Sequence, residues 1–285
     1  MIIASITFGD EVERIWKRQI TGASVLFLLN RYLTPIQFGF EIDAFNNPRW
    51  STYSNVLKGF SCDRVVAFEG YATVALVTVC ELIMILRVFA LYGRNYWILS
   101  FLLALLAGHV IISSYGLSVG MRAPLTAGFV GCIFTGPPRE TLFPAIWYAP
   151  VVVDFIIFGF TLHRTMKYSR ALGSSTPLLR QFTRDGVLYF AIIFSANMIN
   201  VLVYELAVQD LKAIGASFSQ MITSVMISRL VLNLRGVIDE EPTSPRPGNN
   251  VHYRQGIVTR AVGNLGGDFG RWDTSSDFGK GVSVS

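Results

Sequence analysis

Residues Val66 to Tyr92 read VAFEGYATVALVTVCELIMILRVFALY, an apolar run without proline or a turn cluster that still contains Glu69, Glu81 and Arg87. A hydrocarbon core about 30 Å thick needs roughly 20 helical residues at about 1.5 Å each, and this run exceeds that. Each charge in lipid costs on the order of 2.5–3.5 kcal/mol on insertion scales, so all three should face other helices. The segment therefore predicts a membrane protein with a polar interior.

Charged residues make up 15% of the 285-residue chain and hydrophobic ones 52%, against about 25% charged in an average soluble domain. Mean hydropathy is +0.46. The apolar residues fall into six blocks: Gly22 to Phe40, Val66 to Tyr92, Ile98 to Val119, Phe143 to His163, Gly186 to Val208 and Ala213 to Leu234. The first is the weakest, interrupted by Asn30, Arg31 and Pro35, and the last is amphipathic. Backbone amides in lipid have no water to bond, and the alternating pattern of a membrane barrel is missing. The expected fold is all-α, a polytopic transmembrane bundle of six spans.

Three regions follow. Residues 1–22 form a short amphipathic cytosolic segment, in which Val12, Ile15, Trp16 and Ile20 recur at helical spacing among charges, as in a helix lying on the inner interface. Residues 23–235 form the transmembrane domain. Residues 236–285, rich in Gly, Ser and Pro, have too little to bury to offset chain entropy and read as a disordered cytosolic tail. The tail's GNLGGDFG lacks the flanking strand and helix of a phosphate loop.

Lysine and arginine in short loops set orientation. Arg164, Lys167, Arg170, Arg180 and Arg184 share one acid-free stretch, which places it, the N-terminus and the tail in the cytosol. Trp97, Trp147 and Tyr148 sit at span ends, where aromatic rings favour the headgroup layer. The net charge of +5 reads as a cytosolic membrane face and not as a nucleic-acid surface, for which a clustered basic stripe on a folded domain is needed.

The polar residues Arg31, Glu81, His109, Asp154, Asn197, Thr223 and Ser224 fall at similar depth. Opposite charges there should pair, Arg31 with Glu81 or Asp154. Two readings stand: a central ligand or ion pocket, or proton path, lined by Arg31, Glu81, His109, Asp154 and Asn197; or a static staple between helices. Arg87 and Arg229 lie near inner helix ends, as snorkelling anchors or as part of a cytosolic switch surface. GLSVG, Gly116 to Gly120, is either a small-residue packing motif or a loosening helix end. With three histidines in separate regions, no P-loop and no GxSxG elbow, the expectation is no enzyme, no cofactor and no metal site.

The runs DEVERIWKRQITGASVLFLLNRYL, ELIMILRVFALYGRN and SRLVLNLRG resemble the fungal membrane-protein family described as domain of unknown function 6533, over most of Asp10 to Gly236. The resemblance implies a basidiomycete multispan protein, often of seven helices, whose first helix precedes the EVERIW-like stretch. This chain would then be an N-terminally shortened member, a seven-helix pattern lacking its first helix. The resemblance implies no catalytic activity. Cys62 and Cys132 both face outside in this orientation, where oxidation is permitted, as a disulfide or as two unrelated thiols. With a first helix restored, such a bridge would run from the third helix to the second outer loop and resemble rhodopsin-like receptors. Cys80, in mid-span, reads as a small packing residue.

A receptor-like or sensing role is the first functional expectation. A small-solute or ion transporter or channel is the alternative, and a scaffold recruiting partners through its tail a third. Expected partners are the lipid bilayer and an unknown ligand or cytosolic protein, at the plasma membrane or an endomembrane.

Overall fold

The computed structural model describes residues 7–17, 21–46, 56–122, 134–136, 143–172, 177–206 and 214–239. Helix α1 (Phe8–Glu11) runs directly into a π-helical turn, Val12–Trp16. Among the described residues six long helices follow: α2 (Gly22–Asn46), α3 (Val56–Leu91), α4 (Tyr96–Val119), α5 (Ala145–Leu172), α6 (Pro177–Leu206) and α7 (Ile214–Asp239). A two-residue antiparallel pair, β1 (Met121–Arg122) with β2 (Phe134–Thr135), lies between α4 and α5.

Of the six expected spans, four are, among the described residues, helices long and apolar enough to cross a membrane: Arg64–Leu91, Tyr96–Val119, Ala145–Lys167 and Gly186–Leu206. They mark the chain as membrane-embedded. Helix α3 is the central post, packed against α2, α4, α5 and α7, while α4 touches α5, α5 touches α6, α6 touches α7 and α7 touches α2. Half of the α3 apolar window is buried, against 22% in α4 and in α5, so the segment with the internal charges is the one most enclosed by protein. Phe27, Met84, Leu102, Ile157, Ile193 and Ile227 fill the core, while Ile111, Phe155, Ile199 and Leu206 are exposed. Apolar residues on both faces suit a bundle bathed in lipid.

The local sequence explains the antiparallel order of α3 and α4. Gly93 and Arg94 take φ of +68° and +63°, and the Arg94 N–H closes on the Phe89 carbonyl at 3.0 Å, a left-handed helix end that glycine permits without strain. Asn95 then caps α4, accepting the Trp97 N–H at 3.0 Å, which is the usual way to satisfy a first-turn amide. Trp97 is highly exposed beside this turn. The basic stretch expected as a loop, 164–184, is mostly helix, because α5 continues to Leu172 and α6 begins at Pro177. Arg164 donates to the Leu91 carbonyl at 3.3 Å and lies over the Tyr92 ring. We call this the basic end of the bundle.

At the other end Gly116 is buried, and a Cβ there would fall 2.4 Å from Ile146 Cγ1. GLSVG is thus a packing site as well as a helix end, letting α4 approach α5. The Cys62–Cys132 pairing lies outside the described residues, since Cys132 and the side chain of Cys62 are not among them.

Candidate functional site

Glu81 on α3 and His109 on α4 meet in the core: His109 Nδ1 lies 2.7 Å from Glu81 Oε2, and both side chains are 2% exposed. With Glu81 ionised, Nδ1 carries the proton and donates it. Asp154 on α5 is also buried. Asn197 on α6 donates its amide to Asp154 Oδ2, and Ser219 on α7 donates its hydroxyl to the Asn197 carbonyl oxygen. Two separate short chains result, one tying α3 to α4 and the other tying α5, α6 and α7.

Each chain ends in an orphan. Glu81 Oε1 and Asp154 Oδ1 are buried without a hydrogen-bond partner, and so are Ser113 Oγ and Thr223 Oγ1. Ser113 follows His109 by four residues on α4, and Thr223 follows Ser219 by four on α7, so each lies on the same helix face as its neighbour in the chain. A buried oxygen without a donor is costly, and the cost is greatest on a carboxylate. One imidazolium against two carboxylates leaves one negative charge when all three are ionised. Among the described residues no group of three or more His, Cys, Asp or Glu side chains could hold a metal ion.

Arg31 departs from expectation. Its partner is Glu11, with Arg31 Nε 2.6 Å from Glu11 Oε2, while Glu81 takes His109 and Asp154 takes Asn197. Glu11 Oε1 accepts the Tyr32 hydroxyl at 2.7 Å and the Trp16 indole N–H at 3.1 Å. The physical reason is the burial of the N-terminal segment. Glu11 and Ile15 are 0% and 1% exposed, so the stretch read as an interfacial helix is tucked against the bundle, with Trp16 facing out. Arg14 Nη1 donates to the Leu232 carbonyl at 3.0 Å, and Arg235 Nη1 returns a bond to the Arg14 carbonyl at 3.0 Å. Arg235 Nη2 also reaches Ser24 Oγ at 2.7 Å.

A third polar system joins α2 to α7. On α2, residues 30, 34, 37 and 41 share a face; on α7, residues 217, 220, 224 and 228 do so. Asn30 donates to the Ser224 carbonyl at 3.1 Å, Ser224 bonds Thr34 Oγ1 at 3.2 Å, and Gln220 donates to Gln37 Oε1 at 2.8 Å. Gln37 in turn donates to Glu69 Oε1 at 2.7 Å and Thr73 Oγ1 at 2.6 Å, and Ser217 donates to Glu41. From Asn30 to Glu41 this seam runs about 16 Å at the helical rise. Cys80 is more than a packing residue, because its thiol donates to Asn30 Oδ1 at 3.2 Å.

Of the residues singled out from the sequence, Glu81 and His109 come together, as do Asp154 and Asn197. Ser224 joins the seam, Thr223 remains an orphan, and Arg31 belongs to the N-terminal cluster. Arg87 lies over the Phe190 ring at 5.2 Å with Nη1 buried, and Arg229 is exposed. Sequence reasoning missed Glu11, Gln37, Ser219 and Gln220. The i, i+4 spacing of Glu11 and Ile15, and the Ser/Gln periodicity of α7, were the available signals.

No curated protein and no solved structure matches the chain. Residues 4–36 match the model of a family of unknown function, DUF6533, and that segment contains the whole Glu11, Trp16, Arg31 and Tyr32 cluster.

Proposed function

We propose that the chain is a multispan membrane protein of receptor-like, sensing character, with six spans, its basic end and tail in the cytosol, and a sealed centre that responds to one monovalent cationic charge. The observation that carries this reading is the pair of buried ties, Glu81–His109 between α3 and α4 and Asp154–Asn197–Ser219 among α5, α6 and α7. A proton or a monovalent cation balances the surplus negative charge of the centre, and its arrival or loss changes the ties between α3 and α4 and among α5, α6 and α7. A ligand acts on such an equilibrium only through differential affinity for two arrangements, and a buried charge supplies a large difference because low-dielectric surroundings screen it little.

Thermal unfolding of the full chain in lipid nanodiscs tests this. Wild type should shift by several degrees between pH 8 and pH 5, or between sodium and N-methyl-D-glucamine salts, and Asp154→Asn should lose most of that shift. A wild type indifferent to both would sink the reading.

The seam between α2 and α7 favours a second reading, a transporter or channel, since polar side chains follow one another there over about 16 Å of the span. Proteoliposomes loaded with a pH dye or radioactive sodium separate the two. Flux that falls in Gln37→Leu would favour transport.

A further inference from the structure

The N-terminal segment is too short to be ordered by itself. Helix α1 has four residues and the π-helical turn five, far below the roughly 12–15 residues at which an isolated helix becomes even marginal in water. Its order therefore comes from its attachments: Ile15 in the core cluster, Glu11 on Arg31 and Tyr32, and the reciprocal bonds between Arg14 and the α7 residues Leu232 and Arg235. A π-helical turn is a rare, wide turn found frequently at functional sites. One small element thus ties the middle of α2, at Arg31 and Tyr32, to the last turns of α7, at Leu232 and Arg235.

The residues under the clamp also adjoin the centre. Arg31 follows Asn30, and Asn30 accepts the Cys80 thiol proton and donates to the Ser224 carbonyl. Cys80 precedes Glu81, and Ser224 follows Thr223. Asn30 is thus one residue from the clamp and in direct contact with the chain neighbours of two central groups.

We propose that Phe8–Lys17 is a latch that opens and closes against the first half of α2 and the last turns of α7, and that Asn30 couples its opening to the charge state of Glu81. The coupling rests on the sensing role given above to the centre; the opening does not. Closed, the latch joins α2 to α7. Open, it frees the last turns of α7 and exposes Arg31 and Ile15.

Hydrogen–deuterium exchange of the full chain in nanodiscs tests both parts at constant pH and salt. In wild type, amides of Phe8–Lys17 should exchange at least tenfold faster than those of α2 and the middle of α7, the mark of local opening. Glu11→Gln should speed exchange a further tenfold at the latch and at residues 229–239, with α4 and α5 unchanged. Glu81→Gln should change latch exchange several-fold, and that effect should vanish when Asn30→Leu is added. Equal protection of Phe8–Lys17 and α2 in wild type overturns the latch, as does uniform acceleration of all helices in Glu11→Gln. A latch that opens but ignores Glu81→Gln overturns the coupling. Failure of the cation response in wild type, measured separately by thermal unfolding, removes the sensing role and leaves the latch standing.

Discussion

His109 and Glu81 face each other across α3 and α4 at 2.7 Å, with both side chains almost completely withdrawn from the surface. Removal of either partner strands the other in a low-dielectric site, which typically costs about 3–5 kcal/mol, whereas replacing both with apolar residues is often close to neutral. His109→Phe and Glu81→Leu should each lower the unfolding midpoint sharply. The double variant Glu81→Leu/His109→Phe should recover most of the loss, as read by a double-mutant cycle of thermal unfolding in detergent. Additive losses would show that the two groups are not stabilising one another.

The seam between α2 and α7 calls for smaller numbers. Side-chain hydrogen bonds within membrane bundles average about 0.6 kcal/mol and reach about 1.7 kcal/mol, because the separated helices also find partners. Gln37 makes three such bonds, to Glu69, Thr73 and Gln220. Gln37→Leu should therefore cost more than Gln220→Leu, and the two together less than their sum. Chemical denaturation of both singles and the double checks the order.

Two glycines separate packing from mere proximity. A Cβ at Gly116 would fall 2.4 Å from Ile146 Cγ1, and one at Gly186 2.4 Å from Arg87 Nη2. The first neighbour is a β-branched side chain whose χ1 is restricted in a helix; the second is the tip of a long side chain. Gly116→Ala should destabilise by about 1–3 kcal/mol, the usual range for overpacking, and adding Ile146→Ala should relieve it. Gly186→Ala should cost well under half as much. Thermal unfolding of the three variants decides between these outcomes.

The central post was legible because α3 combines length, apolarity and three rare charges, and such charges in lipid need protein around them. The depth of Glu81, His109, Asp154 and Asn197 was legible for the same reason, as helical rise converts position into depth. Partners were not. Any apolar span can lie beside any other, so the sequence had no means of putting His109 rather than Arg31 against Glu81. The N-terminal segment reads as an interfacial helix from the spacing of Val12, Ile15, Trp16 and Ile20, which says nothing of Glu11, buried and satisfied by Arg31, Tyr32 and Trp16. Residues 30, 34, 37 and 41 carried a polar stripe at helical spacing, but Pro35 and Arg31 drew attention to the weakness of that helix instead.

Asn197 offers the most direct probe of charge in the centre, since it touches Asp154 through its amide and Ser219 through its carbonyl. Asn197→Asp keeps the shape and the Ser219 contact but replaces a donor to Asp154 with a second carboxylate. Two carboxylates in contact cannot both stay ionised, so the pair must share a proton. The folded variant then binds more protons than its unfolded chain, in which both acids ionise freely at neutral pH. By linkage its stability falls as pH rises and recovers on acidification. Asn197→Asp should therefore be markedly less stable than wild type at pH 8 and approach it near pH 5, whereas Asn197→Leu, which removes the same donor without adding a charge, should show a deficit that varies much less across that range. Parallel unfolding midpoints of the two variants at every pH would mean that Asp154 is not held against residue 197.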